Sequence, residues 1–521
     1  SACDAPSGYE ASSGDCDDTD DEVYPGADET CNDGIDSDCD ETTCLLESEA
    51  FEDAADLVWR GDNDSDHLGY RVALSPDLTG DGVADALVSA HWDDPQRPSG
   101  AAFYSSGGIV RIGDGTSGLS LDAGTDVDMA DSGAAIYGEA AAVRLGEAMV
   151  GGDFDDDGVN DLIVGSVLAD PGGGSNAGKA YFISGPISST AVLQLANDDE
   201  DAEIGGQTAS DYLGWFAAVG DSNGDTAADL AISAPQCGAA STGVAAASTG
   251  EGIVYLLEGA SGTAWFDNTS PALELTGISS GGCAGWKLAF GDVDGSGNDE
   301  LIVGEPKAGT GGGVYFADAS QTGTVALSAE AKVDGTGTNQ WVGSGIASDD
   351  LDGDGYDDVI IGASSTSSYD GIVYVLHGGV SGIGAVGGGS GYDAATLAAA
   401  TISPPSGSAG QLGYDIASAG DLDQDGELDL VIGAWADDTT ANNSGAAWVV
   451  YGPFSGGITL STSTDAMFTG MGTTEFAGIS VAGGQDVTND GYPDVLIGGF
   501  GASDDTRSTN GAAYLVMGRG N

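Results

Sequence analysis

Seven times between Asp77 and Asp494 the sequence repeats one nine-residue acidic loop. The copies are DLTGDGVAD from Asp77, DFDDDGVND from Asp153, DSNGDTAAD from Asp221, DVDGSGNDE from Asp292, DLDGDGYDD from Asp350, DLDQDGELD from Asp421 and DVTNDGYPD from Asp486. Their starts lie roughly 60 to 75 residues apart, the signature of a repeat architecture. Each loop follows a Gly-led apolar stretch, as in LGYRVAL (68–74) and LGYDIAS (412–418), and runs into another, as in DLIVGS and DVIIGAS. A third stretch follows, as in GIVYLLEG (252–259), and a weaker fourth, as in ALELTG (272–277). Short Val/Ile/Tyr-rich segments between Gly and Asp turns read as antiparallel strands. A four-stranded sheet cannot bury both faces alone, but seven packed radially can, so the pattern predicts an all-β, seven-bladed β-propeller of four-stranded blades. The seventh unit has three strands before Asn521, and LVWRG (57–61) fits the missing fourth. That N-terminal strand is therefore expected to pair with residues 511–517 and close the ring.

Within each loop, positions 1, 3, 5 and 9 carry the oxygen-bearing side chains. They are Asp77, Thr79, Asp81 and Asp85 in the first loop, and Asp153, Asp155, Asp157 and Asp161 in the second. The third has Asp221, Asn223, Asp225 and Asp229; the fourth has Asp292, Asp294, Ser296 and Glu300. Asp350, Asp352, Asp354 and Asp358 follow in the fifth, Asp421, Asp423, Asp425 and Asp429 in the sixth, and Asp486, Thr488, Asp490 and Asp494 in the seventh. All-oxygen sets of this kind suit calcium, which takes six to eight oxygens. A helix-loop-helix site would need a Glu at position 12, where the second loop has Val164, so these loops join strands. Asp and Gly also build turns without any metal, but seven copies of one spacing favour the ion.

With 85 acidic and 11 basic residues the formal charge is −74, which excludes nucleic-acid binding through a basic patch and makes cations the expected partners. No apolar run of about 18 residues is present, so no transmembrane segment is expected. Five of the seven cysteines fall in the first 44 residues, a density that suggests a disulfide framework and an extracellular or cell-surface setting. The opening Ser-Ala-Cys is compatible with a lipid anchor at Cys3, or Cys3 is a free or intermolecular thiol. In a propeller, Cys237 and Cys283 lie on loops of adjacent blades opposite the acidic hairpins, and they are expected to form a disulfide.

This pattern resembles the FG-GAP repeat, the propeller module of integrin α-subunit heads and of many bacterial surface proteins. The resemblance covers residues 55–521 and implies calcium in the hairpin between the first and second strands of each blade. Units three, four and seven depart from it at Asn223 and Thr226, Ser296 and Glu300, and Thr488. The implied division is a Cys/Asp-rich segment over residues 1–50 and the propeller over residues 51–521. The first of these, around GDCDDTDDEVYPGADETCNDGIDSDCD (14–40), resembles the MopE-type metal-binding repeat of bacterial surface proteins. That family name implies copper, whereas the hard donors Asp15, Asp17, Asp20, Asp33, Asp36, Asp38 and Asp40, with no His among them, fit calcium better. A solvated acidic stalk without an ion is the alternative.

Only His67, His91 and His377 are available, and no nucleophile elbow, phosphate loop or dinucleotide fingerprint occurs, so no catalytic site is expected. Arg60-Gly61-Asp62 ends the inferred closing strand and reads as coincidence rather than an exposed recognition loop. Loops of units one, six and seven bring Trp92, Trp435 and Phe500 toward one arc, a candidate ligand face for a sugar ring or a protein segment. The expected function is a secreted or surface-attached, calcium-stabilised module for binding, adhesion or assembly. Its partner would be a protein or carbohydrate, with self-assembly through the N-terminal segment. An extracellular polysaccharide-active lyase or hydrolase on the same scaffold is the alternative.

Overall fold

The computed structural model describes residues 55–91, 108–113, 125–128, 133–171, 174–237, 250–335, 337–365, 370–379, 391–405, 410–461, 465–504 and 507–518. The N-terminal ligand candidates Asp15 to Asp40, Cys3 and Trp92 lie outside the described residues.

Seven sheets follow one another along the chain, each built on four antiparallel strands and beginning next to an acidic hairpin. Blade one consists of Leu68–Ser75, Asp85–Ala90, Ile109–Gly113 and Ala134–Tyr137. Blade two has Leu145–Gly152, Asp161–Ser166, Lys179–Ile183 and Ala202–Gly205. Blade five, from Val342–Asp349 through Asp358–Ala363 and Val373–Leu376 to Ala400–Ser403, repeats the scheme. In blade seven, Ser480–Gln485, Asp494–Gly499 and Ala512–Val516 are joined by Leu57–Arg60, which runs antiparallel to Ala512–Leu515 with Leu57 opposite Leu515.

The expectation of four-stranded blades closed into a ring needs correction on both counts. Blades have four or five strands: in five of them a further short strand lies parallel to the outer edge. Each such strand comes from the connection between the third and fourth strands of the following blade. Val192–Gln194 pairs with Ala135–Tyr137, Gly323–Ala326 with Leu273–Thr276, Gly391–Asp393 with Lys332–Asp334, and Gly456–Thr459 with Ala400–Ser403. Thr125–Asp128 does the same for Leu57–Arg60. An outer strand otherwise presents a row of unpaired N–H and C=O groups, and the added strand satisfies them. The sheets are also not closed into a ring. They are seven separate open sheets, because hydrogen bonding runs outward within each blade while neighbouring blades meet face to face. The N-terminal strand completes the sheet of blade seven and no more.

Cohesion between blades is apolar packing. Each main cluster draws on two consecutive sheets: Leu87, Val110, Val164 and Tyr181 between blades one and two, and Leu57, Leu68, Leu496 and Leu515 between blades seven and one. Second strands such as Asp161–Ser166 and Asp494–Gly499 are buried along their whole length, which explains their unbroken apolar runs. First strands line a central cavity of about 390 Å³. There Arg71 Nε lies 3.6 Å from Glu147, and Lys287 Nζ reaches Asp415 Oδ1 at 2.5 Å, tying blade four to blade six.

Candidate metal hairpins and an aromatic face

The acidic hairpins share one local design. In all seven, the position-1 carboxylate accepts the backbone N–H of position 6, as from Gly158 to Asp153 and from Gly426 to Asp421, at 2.8–3.1 Å. Position 6 has a positive φ, which glycine adopts freely; loop three places Thr226 there at φ 75°. The position-5 side chain accepts the N–H of position 7, as from Val159 to Asp157.

Position 9 has a double task that the spacing alone does not reveal. Asp161 accepts from Phe154 N–H at 3.1 Å and from Gly185 N–H at 2.9 Å, so one carboxylate clasps both its own hairpin and the end of the third strand. Asp229, Asp429 and Asp494 are held in the same way by Ser222 and Gly259, Leu422 and Gly452, and Val487 and Gly518.

In four loops the carboxylates converge. Three donor atoms lie within 4.8 Å of one another in Asp153, Asp155 and Asp161; in Asp292, Asp294 and Glu300; in Asp350, Asp352 and Asp354; and in Asp421, Asp423 and Asp425. Buried oxygens Asp155 Oδ1, Asp292 Oδ1 and Asp421 Oδ1 have no hydrogen-bond partner. Loops one, three and seven, with Thr79, Asn223 and Thr488 at position 3, form no such triad among the described residues. Thr79 instead turns its N–H toward Asp85 at 3.0 Å, and Thr488 its N–H toward Asp494 at 3.1 Å.

Burial and the neighbouring loop carboxylates push the position-9 acids upward. Asp85, Asp161 and Asp358 rise to about 6, and Glu300, Asp429 and Asp494 to about 7, in each case chiefly through desolvation. Repulsion within the loops adds to it, for example from Asp294 and Asp292 on Glu300. An all-oxygen divalent-cation site fits these residues: the donors are hard, they converge, and several lack any other counter-charge.

The opposite end of the blades is aromatic. Trp435 and Phe500 lie on either side of Phe476, with ring centroids 5.6 and 4.9 Å from it, and Phe500 continues to Tyr70 at 5.4 Å. Across the face, Trp215 and Trp286 are 5.1 Å apart, and Lys307 Nζ sits over Trp286 and Trp341 at 5.5 and 5.8 Å. Phe476, Trp341 and Tyr70 were not singled out from sequence. The sequence marks the position by a following Leu-Gly or equivalent pair, and there His67, Arg144, Tyr212, Cys283, Trp341, Gln411 and Phe476 all take φ between 54° and 67° in the structure. Bulky residues rarely hold that conformation, and here it recurs once per blade. Cys237 and Cys283 are joined in a disulfide within the same cluster. Trp435 and Phe500 are half-buried, Asp437 is buried, and Asp504 is bound to Arg507 Nε at 2.7 Å. Arg60 is buried, which withdraws the Arg-Gly-Asp tripeptide from presentation.

The FG-GAP repeat pattern matches residues 342–376, and the MopE metal-binding motif matches residues 15–43. Integrin alpha-V of Gallus gallus is 30% identical over 263 residues, 48% of this chain and 22% of the integrin. Phosphatidylinositol-glycan-specific phospholipase D of Homo sapiens is 30% identical over 165 residues, 32% of this chain and 19% of the enzyme. The chain spans about a fifth of the length of the curated relatives it matches. Among solved structures, the V. cholerae biofilm matrix protein Bap1 matches 58% of this chain and 36% of its own at 18% identity, with a TM-score of 0.27. Among the described residues no helix is long and apolar enough to cross a membrane. The chain is a seven-bladed β-propeller that carries an FG-GAP repeat and a MopE-like metal-binding motif and is similar to integrin α chains.

Proposed function

We propose that this chain is an extracellular or surface-attached binding module whose blades are stabilised by calcium. The observation that carries the reading is the set of buried carboxylate oxygens of Asp155, Asp292 and Asp421 that have no hydrogen-bond partner, each inside a loop where two more carboxylates converge. Desolvated acids at such separations repel strongly unless a divalent cation lies between them. Calcium would be held by positions 1, 3, 5 and 9 and would supply that neutralising charge. Similarity to integrin α chains and the Cys237–Cys283 disulfide support an oxidising, extracellular setting.

The partner surface in this reading is the aromatic face around Trp435, Phe476 and Phe500, which suits a sugar ring or an apolar protein segment. The N-terminal acidic segment would serve as a second ion-dependent contact, including between copies. The module is proposed as non-enzymatic. Calorimetric titration of chelated protein with calcium, followed by glycan and protein binding with a turnover assay on the same glycans, tests the proposal. Calcium uptake and saturable binding without product are expected; turnover would overturn the non-enzymatic reading.

A further inference from the structure

The fifth hairpin differs from the other six in having an imidazole beside its acids. His377 follows the third strand of blade five, and its Nδ1 lies 2.9 Å from Asp352 Oδ2 and 3.3 Å from Asp358 Oδ2. Asp358 Oδ1 stands at 3.3 Å from the same nitrogen. One ring nitrogen carries at most one proton and can satisfy one acceptor, yet carboxylates from two loop positions close on it. Asp358 is fully buried and held by Gly378 N–H at 2.9 Å, so its orientation toward the imidazole is set by the backbone. Asp352 belongs at the same time to the all-oxygen triad with Asp350 and Asp354.

We infer that Asp352, Asp358 and His377 form a mixed nitrogen–oxygen site for a divalent transition ion of the manganese-to-zinc series, distinct in metal preference from the other loops. Imidazole favours such ions, whereas calcium takes oxygen. The spacing agrees: donors bonded at ~2.1 Å lie ~3.0 Å apart in an octahedral and ~3.4 Å apart in a tetrahedral shell. Gly378 N–H acts as the outer contact that fixes a ligating carboxylate. His67 and His91 enter no metal-binding group among the described residues, so an imidazole-bound ion reports on His377 alone. Asp352 and Asp358 are also positions 3 and 9 of the fifth hairpin, so in that loop the transition ion takes the place proposed above for calcium, and the inference does not depend on the occupancy of the other six hairpins.

The test uses the full chain at a calcium concentration that fills the other hairpins and that Zn²⁺ displaces from the fifth. Zn²⁺ is titrated calorimetrically into the unsubstituted protein, His377→Ala and His377→Gln, and Mn²⁺-loaded samples of each are examined by electron spin-echo modulation. Expected are a Zn²⁺ dissociation constant raised at least tenfold in both variants and imidazole ¹⁴N modulation present only in the unsubstituted chain. Circular dichroism spectra, unchanged in the variants, exclude misfolding as the cause. Equal Zn²⁺ binding in all three proteins, or absence of ¹⁴N modulation from the unsubstituted chain, overturns the inference. Failure of calcium to raise the melting temperature, with the nitrogen signal intact, would count only against the calcium reading.

Discussion

Phe476, in the connection leading into blade seven, and Phe500, just after its second strand, stack with centroids 4.9 Å apart and planes 15° from parallel, and Trp435 of blade six packs against Phe476 with its plane tilted by 53°. If this surface takes a ligand, Trp435→Ala and Phe500→Ala should each weaken retention of the bound glycan or protein at least tenfold. Stacking contacts of this size contribute about 1 kcal/mol or more beyond area burial. Affinity electrophoresis in immobilised polysaccharide checks it. Variants that melt earlier yet bind unchanged would mean that the rings only cap blade cores.

Calcium removal should lower the melting temperature, and added calcium should restore it better than magnesium, which resists irregular oxygen cages. A site saturated at a hundred times its Kd stabilises by about 2.7 kcal/mol. Asp155→Asn and Asp421→Asn, in loops with converging triads, should each lose roughly that amount, and Asp225→Asn in loop three less. Differential scanning calorimetry with and without chelator distinguishes them.

In chelator the pH dependence should be inverted from that of an ordinary acidic protein. Glu300, Glu305, Asp429 and Asp494 are raised to about 7, mainly by burial, so the folded chain holds their protons more tightly than the unfolded chain does. Their contribution is fully present below the unfolded carboxylate range near 4 and is lost as pH rises through about 7. Melting temperature without calcium should therefore climb from pH 8 to pH 5. With calcium the slope should flatten or reverse, because the loop ligands must be deprotonated to bind.

Cys237→Ser with Cys283→Ser opens a bridge of 46 residues' separation. Loop-closure entropy puts the loss at up to about 4 kcal/mol. Denaturant unfolding in calcium, compared with the reduced parent, measures it.

Lys287 and Asp415 form a buried pair in the central cavity, with the ammonium also 4.4 Å from the Phe216 ring. Burial lowers the Lys287 pKa to about 8. Asp415→Asn alone should destabilise by roughly 3–5 kcal/mol, whereas Lys287→Met with Asp415→Leu should come close to neutral. A double-mutant cycle in urea reads the coupling directly.

The repeats and their hairpins were legible in sequence because each depends on local spacing or alternation, and the partner of Leu57–Arg60 because the seventh unit is one strand short. The added outer strands were not. Segments such as Val192–Gln194 or Gly456–Thr459 are three or four residues long, pair in parallel with another blade, and show no alternation that distinguishes them from loop. The hairpin acids could be numbered from sequence, but not the clasp between Asp161 and Gly185, which joins residues 24 apart through tertiary packing. Trp435 and Phe500 were legible as loop aromatics; Phe476, which joins them, was hidden by a positive φ that a propensity argument assigns to glycine.

Leu57–Arg60 lies between two strands, antiparallel to Ala512–Leu515 on one side and parallel to Thr125–Asp128 on the other. Tension applied upstream of Leu57 would therefore load both ladders in shear, along the strand axis. The four residues cannot be peeled away one bond at a time while both neighbours hold, and rupture requires the two ladders to slip together. Resistance of this kind belongs to the rate of forced unfolding rather than to equilibrium stability. A chain tethered through its N-terminal side would thus carry its mechanical clamp at the point where the load enters the propeller.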